Sequence, residues 1–269
     1  MMKIRHTIIR GGMLIALSLL LASPLLKAQG RGSDALLHEP VVRYQYIGGG
    51  AGYGYWKSEA SFGVTDNSLP CAFFSDGEGD GLIIEAKAIL YPLQSTWFLF
   101  SPRLRYESRS STFITPLPGE PIKGENNERV ILQQEAQVDG DFGTLTLELM
   151  VGMEIAETGF YLSAGGAGGL LLDGFYNYTE RLLSPQGFVY PATGTNEQQL
   201  LGGRKFDNFG TLVFDLRGSM GYMYRLNDNI AFNIEGVYSY PLTSAFNAPD
   251  LLKQQGIFGT LGVLYNFGD

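Results

Sequence analysis

A two-residue alternation of apolar and polar side chains is the feature that most constrains what this chain can fold into. In residues 144–155 every odd position is apolar, from Leu145 to Ile155, whereas the even positions include Thr146 and Glu148. A period of two places successive side chains on opposite faces of a β-strand. Similar segments, together with two glycine-rich stretches, predict eight strands: 46–56, 81–91, 97–107, 144–155, 160–176, 211–225, 230–242 and 257–267.

The connections between these strands are short and long in strict alternation. Short ones at 91–96, 156–159 and 226–229 alternate with long ones, which are 58–80, 108–141, 177–208 and 243–256. In an up-and-down barrel alternate connections lie at the same end, and membrane barrels have short turns at one end and long loops at the other. Tilted strands of about 9–11 residues are also long enough to cross a bilayer. The pattern predicts an all-β, eight-stranded, antiparallel, up-and-down transmembrane β-barrel over residues 43–269.

The N-terminus has the layout of a secretory signal peptide. Three basic residues precede an apolar run at 13–21, and a small-x-small stretch follows at 28–30. A membrane-anchor helix is the alternative, but it would need about 20 apolar residues. We expect a signal peptide at 1–30, cleaved after Ala28 or Gly30, and a short periplasmic segment at 31–42.

The charge of the predicted mature chain excludes one class of partner. Removal of residues 1–30 takes away four basic residues and no acidic ones, which leaves 15 basic and 27 acidic residues and a net charge of −12. A chain this acidic is unsuited to bind nucleic acid, because the phosphate backbone attracts Lys and Arg.

The closing segment GTLGVLYNFGD carries a resemblance to a known family. Its alternating Leu261, Val263, Tyr265 and Phe267 are similar to the C-terminal assembly signal of small outer-membrane β-barrels of Gram-negative bacteria, of the OmpA/OmpX type. This chain departs from that pattern by continuing with Gly268 and Asp269. The resemblance implies location in the outer membrane, contact with outer-membrane lipid, and the barrel-assembly machinery as a partner.

Motifs for catalysis, cofactors and metals are weak. Gly166 and Gly168 would need a glycine at position 171 to complete a dinucleotide fingerprint, and Leu171 stands there. The predicted mature chain has one histidine, His38, which lies before the first strand, and the acidic stretch at 76–81 lacks a full calcium-loop pattern. We therefore expect no enzyme activity, no cofactor and no metal.

Charged residues share the polar face of five predicted strands. Four are acidic and four are basic: Glu85, Lys87, Arg103, Arg105, Glu148, Asp215, Arg217 and Glu235. An eight-stranded barrel is just wide enough for side chains to fill. These residues are expected to form an ion-pair network that closes the lumen. The alternative is a polar path for ions or small solutes.

The glycines at 165 and 169, with Gly49 opposite, are expected to make room for Arg103, Arg105 and Arg217 in that lumen. Because the interior lacks catalytic chemistry, we expect a structural or interaction role. Long outer loops, mainly 108–141 and 177–208, would carry it by binding an extracellular or envelope partner. A narrow channel or transporter is the alternative function, and a lipid-modifying enzyme is disfavoured.

Overall fold

A computed structural model describes residues 45–66, 69–92, 97–123, 128–155, 158–184, 187–206 and 209–268. The predicted signal peptide at 1–30 and the segment at 31–42 lie outside these residues. Nine strands are present in the described part: β1 Gln45–Asp66, β2 Leu69–Leu90, β3 Phe98–Lys123, β4 Arg129–Glu154, β5 Phe160–Ser184, β6 Glu197–Lys205, β7 Leu212–Arg225, β8 Ile230–Pro241 and β9 Leu251–Asn266. Within those same ranges, none of the helical structure is long or apolar enough to span a bilayer.

Eight of the strands form a closed antiparallel ring. Neighbours in the ring follow the order β1-β2-β3-β4-β5-β7-β8-β9, and β9 pairs with β1 from Leu251 to Asn266. The ninth strand, β6, pairs only with the outer part of β5. The predicted eight-stranded barrel is confirmed, with one additional strand inside the segment predicted as the loop 177–208.

The two ends of the ring differ. At the turn end, β2 ends and β3 begins, β4 ends and β5 begins, and β7 ends and β8 begins; the first residues of β1 and the last of β9 lie at the same end. At the opposite end, the hairpin end, β1–β2 and β3–β4 continue far beyond the last residues that β7 and β8 contribute to the ring. The predicted asymmetry of the connections is therefore present.

A band of apolar side chains surrounds the ring. Its members point outward and are exposed, among them Ile84, Leu104, Leu147, Leu216, Ile234 and Leu261, and outward aromatic residues lie near its two edges, among them Tyr53, Trp97, Tyr106, Tyr224 and Tyr265. An outward apolar band with aromatic girdles is the surface that a membrane barrel presents to lipid. The two-residue pattern of the sequence thus reports the outward face correctly within the ring.

The prediction of loops at 58–80 and 108–141 is wrong. Most of those residues belong to β1, β2, β3 and β4, which continue as paired hairpins. We name the described parts of 58–80, 110–141 and 173–205 the hairpin tier. Here the alternation inverts, because outward residues such as Glu59, Asp76 and Thr112 are polar while inward Phe62 and Phe113 are buried. The apolar alternation in the sequence ends where the outer surface stops being apolar, but the strands themselves continue beyond that point.

The hairpin tier has its own apolar core. Phe62 is at its centre, with ring centroids of Phe74, Phe113 and Phe246 at 5.4, 5.1 and 5.3 Å. Aromatic pairs at such distances contribute roughly 0.5–1.5 kcal/mol each beyond their buried area. Phe206, which follows β6, packs on the same centre at 5.8 Å.

Candidate functional site

The lumen of the ring contains the charged residues that the sequence singled out. Glu85 and Lys87 come from β2, Arg103 and Arg105 from β3, Glu148 from β4, Asp215 and Arg217 from β7, and Glu235 from β8. All eight are buried. The structure adds two residues to this group, Glu107 and Arg109 of β3, which are buried beside them. We call these ten residues the lumen network.

One part of the lumen network joins β2, β3, β4 and β8. The Lys87 ammonium lies 2.7 Å from Glu85 and 3.0 Å from Glu235, and the Arg103 guanidinium donates to Glu235 at 2.7 Å. Arg105 bridges Glu85 at 2.8 Å and Glu148 at 2.7 Å. Each acid in this part therefore meets two cations, which compensates the cost of removing carboxylates from water.

Arg217 is the centre of the other part. Its guanidinium contacts Glu107 at 2.6 Å, Asp215 at 3.1 Å, and Glu148. Glu107 also pairs with Arg109. Arg217 thus links β7 to β3 and β4, although neither strand is its neighbour in the ring.

The lumen network is electrically balanced. It contains five acids and five bases, all of which have a partner of opposite charge. Neutral side chains add further hydrogen bonds: Thr260 donates to Glu85 at 3.2 Å, Ser239 to Asp215 at 3.2 Å, and Lys87 donates to Asn233 at 2.5 Å. Single atoms of Arg103, Glu148 and Arg217 have no hydrogen-bond partner among the described residues. A balanced, paired set satisfies the condition under which buried charges are tolerated.

Small residues on β5 make the central contact possible. In the strand register Gly165 is opposite Arg217 on β7, and Ala167 is opposite Glu148 on β4. Because both small side chains point into the lumen, Arg217 and Glu148 meet across β5 without an intervening group. We call Gly165 and Ala167 together the β5 lane.

Glycines on β1 and β9 form a second gap. Gly48 and Gly50 of β1 are opposite Lys87 and Glu85 of β2. On the other side of β1, Gly50 is opposite Gly262 of β9. Lys87 reaches Glu235 on β8 across both of these strands. Glycine-rich strands therefore lie on opposite sides of the ring, and the charged side chains span them.

Two details of the glycine prediction are wrong. Gly49 points outward, whereas Gly48 and Gly50 are the inward residues of β1. For Gly165 the main constraint is backbone, because a Cβ there would collide with the carbonyl oxygen of Leu149 on the next strand. Ala167, two residues further along β5, has a Cβ, is buried, and lies opposite Glu148 in the register.

Apolar layers cover the lumen network on both sides. Towards the turn end lies a cluster of seven buried residues, which are Tyr46, Ile89, Leu99, Tyr161, Met223, Ala231 and Leu264. Towards the hairpin end, Trp56, Ile83, Val237 and Phe258 form another. The Phe258 ring centroid lies 4.9 Å from Arg105 Cζ and 5.4 Å from Arg217 Cζ, a geometry suited to cation–π attraction.

A separate ion pair lies at the turn end. Arg225 of β7 donates two hydrogen bonds of 2.9 Å to Glu154 of β4, and it also donates to the Tyr46 hydroxyl at 3.2 Å. Tyr91 donates to Glu154 at 2.5 Å, and the backbone N–H of Gly159 donates at 2.9 Å. Glu154 therefore ties two short turns to the strands beside them.

The other predicted features have the following positions. The C-terminal residues Leu261, Val263, Tyr265 and Phe267 point outward and are exposed, and their role as an assembly signal remains a prediction. The acidic stretch at 76–81 is part of β2, with its carboxylates on the outer face. Within the residues that the structure describes, no three potential metal ligands come together. His38 lies outside these residues, as does the side chain of Cys71.

Sequence reasoning missed Glu107 and Arg109, although a signal for them was available. Both continue the odd-numbered series that contains Arg103 and Arg105, and β3 keeps that series inward as far as Phe113. The predicted strand ended at residue 107 because the outward face becomes polar from Ser108 onward. An inward series of charges was thus the better guide to the length of the strand.

Three solved outer-membrane proteins are among the structures to which this chain is similar. The attachment invasion locus protein Ail of Yersinia pestis is 11% identical over 83% of this chain and 99% of its own, with a TM-score of 0.32. The outer membrane protein OprG of Pseudomonas aeruginosa is 11% identical over 85% and 98%, with a TM-score of 0.40. The outer membrane protease OmpT of Escherichia coli is 9% identical over 88% and 100%, with a TM-score of 0.30.

No curated protein matches the chain by sequence. The family model for the outer membrane protein β-barrel domain matches residues 81–247, which is more than half of the chain and contains all ten residues of the lumen network. The chain belongs to the outer membrane protein β-barrel domain family.

Proposed function

We propose that this protein is a closed outer-membrane barrel that presents its hairpin tier to a partner at the cell surface. The observation that carries the proposal is the buried state of the lumen network. A water-filled pore would leave its side chains accessible, yet Arg105 and Glu148 are 0% exposed. With the lumen filled, the surfaces left for a specific activity are those outside the ring.

The hairpin tier is suited to such a role. Membrane barrels keep their short turns in the periplasm and their longer connections outside, so the hairpin end faces the exterior. Paired strands and the Phe62 core make it a rigid platform, which lowers the entropy that binding must overcome. Exposed large apolar side chains lie on this platform, outside the apolar band that faces lipid. They are Phe73, Ile114, Ile131, Leu183 and Leu200. A partner that covers them would gain buried apolar area.

The proposed role is non-enzymatic. The rival function is a narrow channel, which requires a continuous wet path through the lumen network. A barrel enzyme would require a catalytic group on the hairpin tier or in the lumen, and the charged residues of the lumen network are engaged in ion pairs.

Site-specific photo-cross-linking on intact cells tests the proposal. A photoreactive residue at Ile131 or Leu200 is expected to give a discrete protein adduct. The matched control is a photoreactive residue at Ile84, in the apolar band, which should not give that adduct. A variant in which residues 118–133 are replaced by Asn-Gly removes the end of the β3–β4 hairpin and should lose the adduct at Leu200 or weaken it. Absence of any adduct from the hairpin tier, in cells where the barrel is folded, would overturn the proposal.

A further inference from the structure

A groove of about 640 Å³ lies on the outward face of the ring, over β5. Gly166 and Gly168 form its floor. Its walls are the cross-strand neighbours of those glycines, Leu147 and Leu149 on β4 and Phe214 and Leu216 on β7. A row of glycines between two rows of large apolar side chains thus produces a channel-shaped depression in the apolar band.

The packing of the fold does not require these two glycines. A Cβ placed on Gly166 would meet no atom within 4 Å, and one on Gly168 would meet only the Phe214 ring, at 3.5 Å. Neither glycine has a positive φ, so the backbone there could accept a residue with a side chain. Glycine inside a strand lowers stability relative to a residue with a side chain. The hollow therefore has no explanation within the chain itself, in contrast to Gly165.

The surroundings of the groove determine what can fill it. It is continuous with the apolar band that faces lipid, so its contents are hydrocarbon rather than water. A second copy of the chain whose two-fold axis passed through the groove would place groove against groove and leave a void between them. An acyl chain is narrow, flexible and apolar, and it can lie along β5 between the two walls.

The position of the groove along the barrel selects the leaflet. Its β5 residues run from Gly166 to Leu170, close to Asp173, where the outward face becomes polar. Its β7 wall begins at Leu212, the first residue of that strand on the hairpin side. The groove thus occupies the half of the band nearer the hairpin end. With the orientation proposed above, on which this step rests, that half lies in the outer leaflet, whose lipid is lipopolysaccharide.

We propose that the groove over Gly166 and Gly168 binds an acyl chain of lipopolysaccharide. The lipid tail fills the depression between the leucines of β4 and the side chains of β7. Binding there differs from general contact with the bilayer because the tail is held on three sides. Affinity arises from the additional van der Waals contacts that the tail makes with the floor and the two walls of the groove, because lipid tails are already in an apolar surrounding.

Native mass spectrometry of the purified, detergent-solubilised protein tests this inference. Deep-rough lipopolysaccharide and phosphatidylethanolamine are offered separately. The double variant Gly166→Leu/Gly168→Leu fills the groove, and the single variant Gly166→Leu is included because its new Cβ meets no atom within 4 Å. The matched control is Gly236→Leu, on the outward face of β8, where the nearest atom to a Cβ is 4.0 Å away. Heat-modifiable migration on gels verifies that each variant is folded.

The wild type and Gly236→Leu are expected to retain one lipopolysaccharide molecule. The groove variants should retain about tenfold less, because the tail loses its van der Waals contacts with the floor and walls of the groove. Equal retention by folded groove variants and the wild type would overturn the inference. Groove-dependent retention of phosphatidylethanolamine instead of lipopolysaccharide would also overturn it. Protease treatment of intact cells reports the orientation independently, so failure of this inference is distinguishable from failure of the proposed function.

Discussion

Ala167 lies on β5 between Arg217 and Glu148, and its small side chain leaves the space through which those two residues meet. Gly165 contributes to the same space but is also needed for the close approach of β4. At the scale of the residue, the lumen network therefore depends on uncharged positions as much as on charged ones. Alternation predicted which charged side chains point inward, but it could not show that their pairs cross a neighbouring strand.

The variant Ala167→Leu tests the β5 lane. The larger side chain is expected to separate Arg217 from Glu148, and separating or unpairing buried charges costs about 3–5 kcal/mol. Unfolding in urea, followed by heat-modifiable migration, should show a lower midpoint. The matched control is Ala164→Leu on the same strand, because that side chain points outward and should leave the midpoint unchanged. Equal midpoints for Ala167→Leu and the wild type would show that the lane has no role.

A second prediction at this scale concerns charge balance. Glu235→Gln leaves Arg103 without an ion pair and Lys87 with Glu85 alone. The double variant Arg103→Gln/Glu235→Gln removes one charge of each sign and keeps the remaining pairs. We expect the double variant to be more stable than Glu235→Gln, because an unpaired buried charge costs more than a missing pair. Urea midpoints of the two variants make the comparison, and the opposite order would contradict the balanced network.

Elements such as β3 and β4 extend well beyond what alternation predicts. Within the ring their outward residues are apolar, and in the hairpin tier their inward residues are, so the apolar series changes face between Tyr106 and Phe113. The predicted strands end at this inversion, which explains why 108–141 was expected to be a loop. The short turns could be predicted because the strands before and after each turn both show the alternation that lipid imposes, and the turn interrupts it. The strand β6 could not, since its residues are mostly exposed and lack a periodic pattern.

The variant Phe206→Ala tests whether the segment that follows β6 stabilises the apolar core of the hairpin tier. It packs on Phe62, Phe142 and Phe246 at 5.8, 5.4 and 5.0 Å, next to the contact in which Gly210 N–H donates to Ala245 at 2.8 Å. Phe206→Ala should remove about 3–5 kcal/mol of packing from the hairpin tier while the ring stays intact. Limited proteolysis should then cut residues 206–211 or 242–250 faster, with unchanged heat-modifiable migration.

The control for that experiment is Val189→Ala, since Val189 is an exposed residue between β5 and β6. Its cleavage rate should match that of the wild type. If Phe206→Ala were cut no faster than this control, the apolar core of the hairpin tier would not depend on the segment after β6.

The described residues combine an apolar outer band with a lumen in which ten charged side chains are buried. Composition, strand length and the asymmetry of connections were enough to predict the barrel and its membrane, because lipid imposes a simple pattern on every strand. The partner proposed for the hairpin tier could not be identified in the same way. The exposed apolar side chains proposed to bind it, such as Phe73 and Ile131, follow no period.

Planar-bilayer recording of the purified, refolded protein tests the central claim most directly. The apolar layers around Tyr161 and Phe258 and the paired lumen network predict a barrel that inserts without producing steady open-channel steps. A general porin recorded in the same bilayers provides the positive control, and heat-modifiable migration verifies folding before reconstitution. A steady conductance that appears with each insertion of folded protein would contradict a sealed lumen and would favour the channel function instead.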